Sequence, residues 1–272
     1  MLKTNWHTHT KRCNHAVGTD EEYVQSAITG GLTTLGFSDH APYPPVKSSR
    51  GRMDYEQLND YQNSILSLKE EYRGQIDIFC GLEVEYYPEF KEQLCDYRNR
   101  FDYLILGQHS TSFNGTSVYE LRTPDALDEY VKAIEKACEC GLCDYIAHPD
   151  VALWDYPAYD DTVVRASKRL AEISLYYNMP LELNAGSGVK YDKKQYQDML
   201  RYAYPTRLFF EEFSKNKCPV IIGLDVHDPK LFQTDLYLDR ALSVIEGLDC
   251  NILYDFDLVT AAENRKKTFI WR

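Results

Sequence analysis

Short apolar runs alternate along the chain with longer stretches in which apolar residues recur three or four positions apart. Runs of the first kind predict strands around Leu2 and Trp6 and at residues 32–38, 75–84, 101–107, 143–147, 180–183 and 220–224. Residues 251–256 read as an eighth short strand or as a packing segment. Stretches of the second kind predict helices. One covers residues 20–29 and stops at Gly30-Gly31. A second opens at Asp54, with Gln57 three residues on as a capping box, and runs to about residue 72. A third starts at Thr123-Pro124, with proline at its first position, and ends at Gly141. Residues 162–177 form a fourth, and helical material fills much of 193–216, interrupted by Pro205. Residues 41–53 form a long loop containing Pro42, Pro44 and Pro45.

Nearly every predicted strand ends in polar residues capable of chemistry. These ends fall at positions 9, 40, 83, 109, 148, 184 and 225. Each interval is long enough for one strand–loop–helix–loop unit. That rhythm is the pattern of an α/β barrel of parallel strands whose C-terminal ends share one face. At 272 residues the chain has the length of one such domain, so residues 1–272 read as a single unit. A doubly wound open sheet is the competing architecture. It would hold the first and last strand ends apart, yet both carry ligand-type residues.

His7 and His9 lie two apart on a strand and so point to the same side, as two ligands of one ion would. The pair alone does not decide the matter, because a buried hydrogen-bonded pair has the same spacing. The other histidines do. His40, His109, His148 and His227 also fall at predicted strand ends, and His15 follows in the first loop. Glu83 and Asp225 lie among them, with Asp39 and Asp150 as candidates for orienting imidazoles. Neutral imidazoles with a few carboxylates suit Zn, Mn or Fe, and carboxylates that bridge ions make the site polynuclear. Cys138, Cys140 and Cys143 read as packing residues. The first two sit in the last turn of a helix and point in different directions.

A net charge of −12 and a pI near 5.1 argue against a nucleic-acid partner. Divalent cations would still make one cleft locally attractive to phosphate. The start of the chain runs straight into the first strand without a leader pattern, and no apolar run is long enough to span a membrane. Eight cysteines read as free thiols, and a cytoplasmic location is expected.

Several runs carry a more specific resemblance: His7-Thr8-His9, Asp39-His40-Ala41-Pro42, Gly81-Leu82-Glu83-Val84-Glu85-Tyr86, Asp102-Tyr103-Leu104-Ile105-Leu106-Gly107-Gln108-His109, Ala147-His148-Pro149-Asp150 and Asp225-Val226-His227. In order and over essentially the whole chain, they resemble the motifs of the PHP (polymerase and histidinol phosphatase) superfamily, most of all its monofunctional histidinol-phosphatase branch. The resemblance implies a distorted (β/α)7 barrel of TIM type, with three divalent metals at the C-terminal ends of the strands. It implies that His7, His9, Glu83 and Asp225 hold one metal. Glu83 would bridge to a second, held with His109 and His148, while His15, His40 and His227 would hold a third. The last motif departs from the expected Gly-Ser-Asp-Ala-His, reading Gly223-Leu224-Asp225-Val226-His227. The ligand types survive; the change bears on packing beside the substrate.

The activity implied is hydrolysis of L-histidinol phosphate, a small phosphate monoester, to histidinol and phosphate. Metals would bind the phosphoryl oxygens and activate water. Asp225, His40 or His227, or a metal-bound water, would supply the proton to the leaving alkoxide, and the sequence does not choose among them. Arg52 matches an Arg-Met pair associated with this branch and is a candidate phosphate or lid residue. Ser187 and Lys190, in the small polar loop after Asn184, are further candidates for phosphate binding. Tyr43 and Tyr86 are expected near the pocket. Two other readings share the scaffold: a phosphodiesterase or small-oligonucleotide nuclease, and a non-catalytic metal-bound module. A diester channel would call for basic and stacking residues, which the acidic balance disfavours.

Overall fold

The computed structural model of the chain describes residues 2–44 and 51–271. Residues 45–50, the middle of the expected Pro-rich loop with Pro45, lie outside the described residues, as does Met1. Strands and helices alternate as the apolar pattern predicts: β1 (Thr4–Asn5), α1 (Asp20–Thr29), β2 (Thr34–Phe37), α2 (Leu58–Glu71), β3 (Asp77–Cys80), β4 (Leu82–Val84), α3 (Lys91–Arg100), β5 (Leu104–Leu106), α4 (Pro124–Cys140), β6 (Tyr145–Ile146), α5 (Asp161–Tyr176) and β7 (Leu181–Asn184). There follow β8 (Lys194–Gln195), β9 (Leu200–Arg201), α6 (Arg207–Lys215), β10 (Pro219–Gly223), α7 (Leu236–Val244), β11 (Asn251–Ile252) and α8 (Leu258–Lys266).

The helix starts follow from local chemistry. Thr19 and Glu22 close a reciprocal capping box on α1, and the Thr123 hydroxyl accepts from the Ala126 N–H at the start of α4. Gly141 ends α4 with φ 72°, a left-handed turn that costs glycine no Cβ clash. Gln57 caps the Asp54 N–H as expected, but a short 3-10 turn, Tyr55–Gln57, precedes α2.

All strand pairs except the β8–β9 hairpin are parallel. One sheet has the order β1-β2-β3 and the other β11-β10-β7-β6-β5-β4. The strand expected over residues 75–84 is divided at Gly81. Its first half pairs with β2 and its second with β5. A Cβ at Gly81 would lie 2.6 Å from the Tyr103 ring, so the packing of that ring requires glycine there. The two sheets also meet at the C-terminal ends of their strands. Thr8 bridges Val226 in parallel, the His9 N–H donates to the Val226 carbonyl at 3.0 Å, and the Val226 N–H donates to the His7 carbonyl at 3.1 Å. The first and last strand ends are thus side by side. This is consistent with the expected barrel.

Residues two apart on the strands fill the space these sheets enclose. Trp6, Tyr103, Ile105, Tyr145, Ala147 and Ile221 form one buried cluster, to which α8 contributes Leu258 and Ala262. The Tyr103 hydroxyl lies 2.8 and 2.9 Å from the carbonyl oxygens of Trp6 and Phe37. Apolar side chains therefore occupy the N-terminal part of this interior, and polar ones begin where the strands end. A second, larger core lies between the strands and the helices.

Residues 193–216 differ from the expectation. They form the β8–β9 hairpin followed by α6, instead of an interrupted helix. Buried Arg201 explains the change. Its guanidinium donates to the carbonyls of Leu153, Tyr156, Tyr202 and Ala203 and lies 3.4 Å from the centre of the Tyr196 ring. That anchors an extended segment against the loop after β6. The cysteine expectation agrees with the structure: all eight are free, and Cys138, Cys140 and Cys143 are buried. Among the described residues, no cluster of metal-type ligands includes these three. No helix among the described residues is long and apolar enough to cross a membrane.

A fully buried ion pair ties α3 to the start of β6. The Arg98 guanidinium grips the Asp144 carboxylate at 2.6 and 2.8 Å, and Asp144 also accepts the Leu104 N–H. Arg98→Ala leaves that buried carboxylate with only Arg265, 3.8 Å away, as countercharge and should cost about 3 kcal/mol. Urea unfolding checks this. A loss of no more than about 1 kcal/mol, the worth of a surface pair, would contradict it.

Candidate metal centre

Glu83 stands at the middle of the site because β4 carries its side chain inward where Gly107 directly follows β5. A Cβ at Gly107 would lie 1.7 Å from Glu83 Oε1, so only glycine leaves room for the carboxylate. Five imidazoles approach it. Glu83 Oε2 lies 3.6 Å from His7 Nε2, 3.5 Å from His9 Nε2 and 2.8 Å from His40 Nδ1. Glu83 Oε1 lies 2.8 Å from His148 Nε2 and 3.7 Å from His109 Nε2. Asp225 arrives from the end of β10. Its Oδ1 is 3.1 Å from His9 Nε2 and 3.6 Å from His7 Nε2. His15, His40 and His227 form a further group whose ligand atoms lie within 4.8 Å of one another.

Backbone conformation aims two of these residues. His148 and Asp225 have φ of 30° and 47°, in the left-handed region that non-glycine residues seldom adopt. Such strain persists only where surrounding contacts hold it. For His148 the contact is visible: its N–H donates to Glu182 Oε2 at 2.8 Å.

The charges are mutually adjusted. Burial disfavours an ionised Glu83, but the neighbouring imidazoles, His40 foremost, hold its carboxyl well below the usual range. Asp225 is likewise held down against burial by His7, His9 and His227. Burial also disfavours charge on His9, yet Asp225, Asp39 and Glu83 raise it to about 9. For His40, burial prevails over Glu83 and lowers the ring to about 4. His7 Nε2, both ring nitrogens of His9, His227 Nε2 and Glu83 Oε2 are buried without a hydrogen-bond partner. The close approach of His40 to Glu83 lacks hydrogen-bond alignment. Orphaned lone pairs converging from imidazoles and carboxylates are a poor hydrogen-bond network. They are a good donor set for divalent cations, and the residues present fit such ions.

All nine sequence-predicted ligands come together here. The other candidates divide. Arg52 and Ser187 line a cavity of about 500 Å³ above the cluster. Arg52, however, holds Glu85 in a two-pronged pair at 2.8 and 2.9 Å and donates to the Ala41 carbonyl. Lys190 is exposed and lines a smaller neighbouring pocket with His15 and His227. Asp39 lies 3.5 Å from His9 Nδ1 without a hydrogen bond to it, and its carboxylate accepts the His40 N–H at 2.8 Å. Asp150 does not bond an imidazole: its carboxylate accepts from the Thr206 backbone and hydroxyl. Tyr43 and Tyr86 do not line the cavity. Tyr43 lies beneath Arg52, and Tyr86 stacks on Trp271. Tyr87, Phe113, Tyr119 and Tyr204 form the aromatic wall instead.

Sequence reasoning missed Glu182, whose Oε1 is 2.8 Å from His7 Nδ1. The available signal was an acid inside the apolar run Leu181-Glu182-Leu183, two residues before Asn184 and so on the same face. Cys13 was missed as well. It is buried and belongs to a possible ligand group with His9 and His227.

The PHP domain family matches this chain over residues 5–186. The chain is 29% identical over 235 residues to a "Probable histidinol-phosphatase" of Deinococcus radiodurans, a match covering 82% of this chain and 85% of that protein. It is 37% identical over 102 residues to the histidinol-phosphatase of Bacillus subtilis, covering 35% of this chain and 37% of the relative. Among solved structures, the histidinol phosphate phosphatase of Lactococcus lactis, complexed with Zn, L-histidinol and phosphate, is similar with a TM-score of 0.67 at 20% identity. That match covers 93% of this chain and 95% of the other. The hisK protein of Listeria monocytogenes is similar with a TM-score of 0.68 at 18% identity, covering 84% and 97%. These likenesses show the fold. The family match ends at residue 186, while Asp225 and His227 lie beyond it and still reach the same cluster.

The Arg52–Glu85 pair yields a pH test. Burial works against the Glu85 charge, but Arg52 and then His109 bring its carboxyl down to about 2. Its stabilisation is complete above the ordinary glutamate value, about 4.3, and is lost as pH falls towards the folded value. Arg52→Ala should cost about 3 kcal/mol near neutral pH by stranding a buried carboxylate. The gap to wild type should narrow as the medium becomes acidic. Urea midpoints of both proteins across a pH series measure it; a gap that stays constant into acid would refute the pairing argument.

Proposed function

The chain belongs to the PHP domain family, and from that premise we propose that it is a metal-dependent phosphomonoesterase that hydrolyses L-histidinol phosphate to L-histidinol and phosphate. The observation that carries this reading is the set of orphaned, buried imidazole and carboxylate atoms around Glu83, open to a cavity large enough for a small substrate. The relatives named for histidinol phosphate chemistry support the choice of substrate.

His7, His9, Glu83 and Asp225 would hold one divalent ion; Glu83, His109 and His148 a second; and His15, His40 and His227 a third. Zn, Mn and Fe all suit these donors. When bound, such ions neutralise phosphoryl oxygens and make water a stronger nucleophile. The chain's own residues do the rest. Ser187 sits where the cavity meets the pocket that Lys190 lines, and the two would bind phosphate oxygens. Arg52 adds positive potential to the cavity wall while anchored on Glu85. Asp225 is ionised and lines the cavity, so it takes the proton of the attacking water and returns it to the leaving oxygen. His40 and His227, which like Asp225 belong to the ligand cluster, are the alternatives. The aromatic wall of Tyr87, Phe113, Tyr119 and Tyr204 would pack against the imidazole half of the substrate.

A terminal phosphate offers three non-bridging oxygens and nearly two charges, against two oxygens and one charge in a diester. With one metal-loaded preparation, kcat/KM for histidinol phosphate should exceed that for a simple phosphodiester at least ~100-fold, about 2.7 kcal/mol of differential transition-state binding. Chelation should abolish both rates. Equal rates, or a diester preference, would overturn the phosphatase reading in favour of a nuclease.

Glu83→Gln keeps the shape of the side chain but removes the charge shared by two ion positions. Elemental analysis should show fewer ions per chain, activity should be lost, and circular dichroism should be unchanged. Near-normal turnover in this variant would show that Glu83 is not the bridge.

A further inference from the structure

Glu182 is fully buried on β7 and is not among the nine ligands of the centre, yet it contacts two of them. Its Oε1 lies 2.8 Å from His7 Nδ1 and 3.3 Å from the Tyr145 hydroxyl. Its Oε2 accepts the His148 backbone N–H and the Asn184 side-chain N–H, each at 2.8 Å. Room for it is made by the neighbouring strand. A Cβ at Gly223 on β10 would lie 1.7 Å from Glu182 Oε1. The same arrangement sets Gly107 against Glu83.

A carboxylate in this position is costly as a purely structural device. Its one ion-pair partner among the described residues is His7, and no lysine or arginine reaches it. Burying an ion without a firm countercharge costs several kcal/mol. A neutral group of the same shape would fill the space at less cost. What the carboxylate does is set direction. With the Nδ1 proton of His7 held by Glu182, the Nε2 lone pair must face Glu83 and Asp225, each 3.6 Å away. The other oxygen pins the left-handed turn that swings the His148 ring onto Glu83 from the opposite side.

We propose that Glu182 is a positioning residue for both ion positions that share Glu83: one carboxylate oxygen orients the His7 ring and the other holds the His148 backbone. The inference rests on the metal-dependent reading of the cluster. His15, His40 and His227 make no contact with Glu182, so the ion position they form is independent of it. Removal of the carboxylate should therefore affect the ion positions unequally, whereas damage to the fold would affect them all alike.

The test is competition for Zn²⁺ between the full chain and a chromogenic chelator. Glu182→Gln keeps the side-chain volume but cannot accept at both oxygens. Its apparent affinity for the ions at the Glu83 pair should fall about 10–100-fold, the usual effect of losing a partner behind a ligating histidine. Zn²⁺ at the third position should be retained, and the urea midpoint of the metal-free protein should match wild type. In the zinc-loaded protein, the His7 Nδ1–H signal in long-range ¹H–¹⁵N spectra should shift or vanish. Glu182→Asp, which keeps the carboxylate but shortens its reach to His7, should move affinity in the same direction and serves if Glu182→Gln does not fold. Wild-type affinity in a folded Glu182→Gln protein, or equal loss at all three positions, would overturn the role of Glu182 alone. A wild-type chain that takes up no Zn²⁺ would overturn the metal-dependent reading with it.

Discussion

The arrangement depends on burying one carboxylate among five imidazoles. Glu83 alone could not sit in the interior ionised, and the imidazoles alone would leave their lone pairs without donors. Together they make a donor set whose charge balance the proposed cations would complete. The strands serve this by delivering side chains at a period of two, so that residues from separate segments of the chain reach one point. Glycine on the adjoining strand or directly after it supplies the space, at Gly107 for Glu83 and at Gly223 for Glu182. These positions tolerate no side chain, for a reason that lies in the chemistry of the neighbour and not in their own backbone.

The interior is divided along the strands. Aromatic and aliphatic residues such as Trp6, Tyr103 and Ile221 fill its N-terminal part, closed by α8. Carboxylates and imidazoles occupy the C-terminal part, where loops rather than a packed core lie above them. The buried Arg98–Asp144 pair belongs to the first region and the Arg52–Glu85 pair to the second. The former holds a helix to a strand. The latter places a cation at the rim of the cavity and keeps Glu85 ionised beside His109, 3.4 Å away.

Much of this was legible in the sequence, and the parts that were not share a cause. Histidines recurring at the ends of apolar runs, with the carboxylates among them, located most of the residues that converge on the cluster, Cys13 excepted, because strand period and strand termini are local properties. The spacing of His7 and His9 alone predicted their common direction. The division of residues 75–84 at Gly81 was not legible, since it depends on the Tyr103 ring from another strand. The hairpin of residues 194–201 was misread as helix because its anchor, Arg201, finds its carbonyls on a different loop. Asp150 was expected beside an imidazole and instead holds Thr206. The partnership of Arg52 with Glu85, and of Glu182 with His7, joins positions 33 and 175 apart in the chain. Such pairs arise only once the fold has brought them together.

The central claim is that this cluster is a multi-ion site organised on Glu83. Anomalous diffraction from crystals of zinc-loaded protein, recorded on both sides of the zinc absorption edge, tests it directly. The account predicts three peaks: two that share Glu83, one on the His7, His9 and Asp225 side and one on the His109 and His148 side, and a third among His15, His40 and His227. Zinc bound only outside this cluster, or a loaded crystal with no peak beside Glu83, would contradict it.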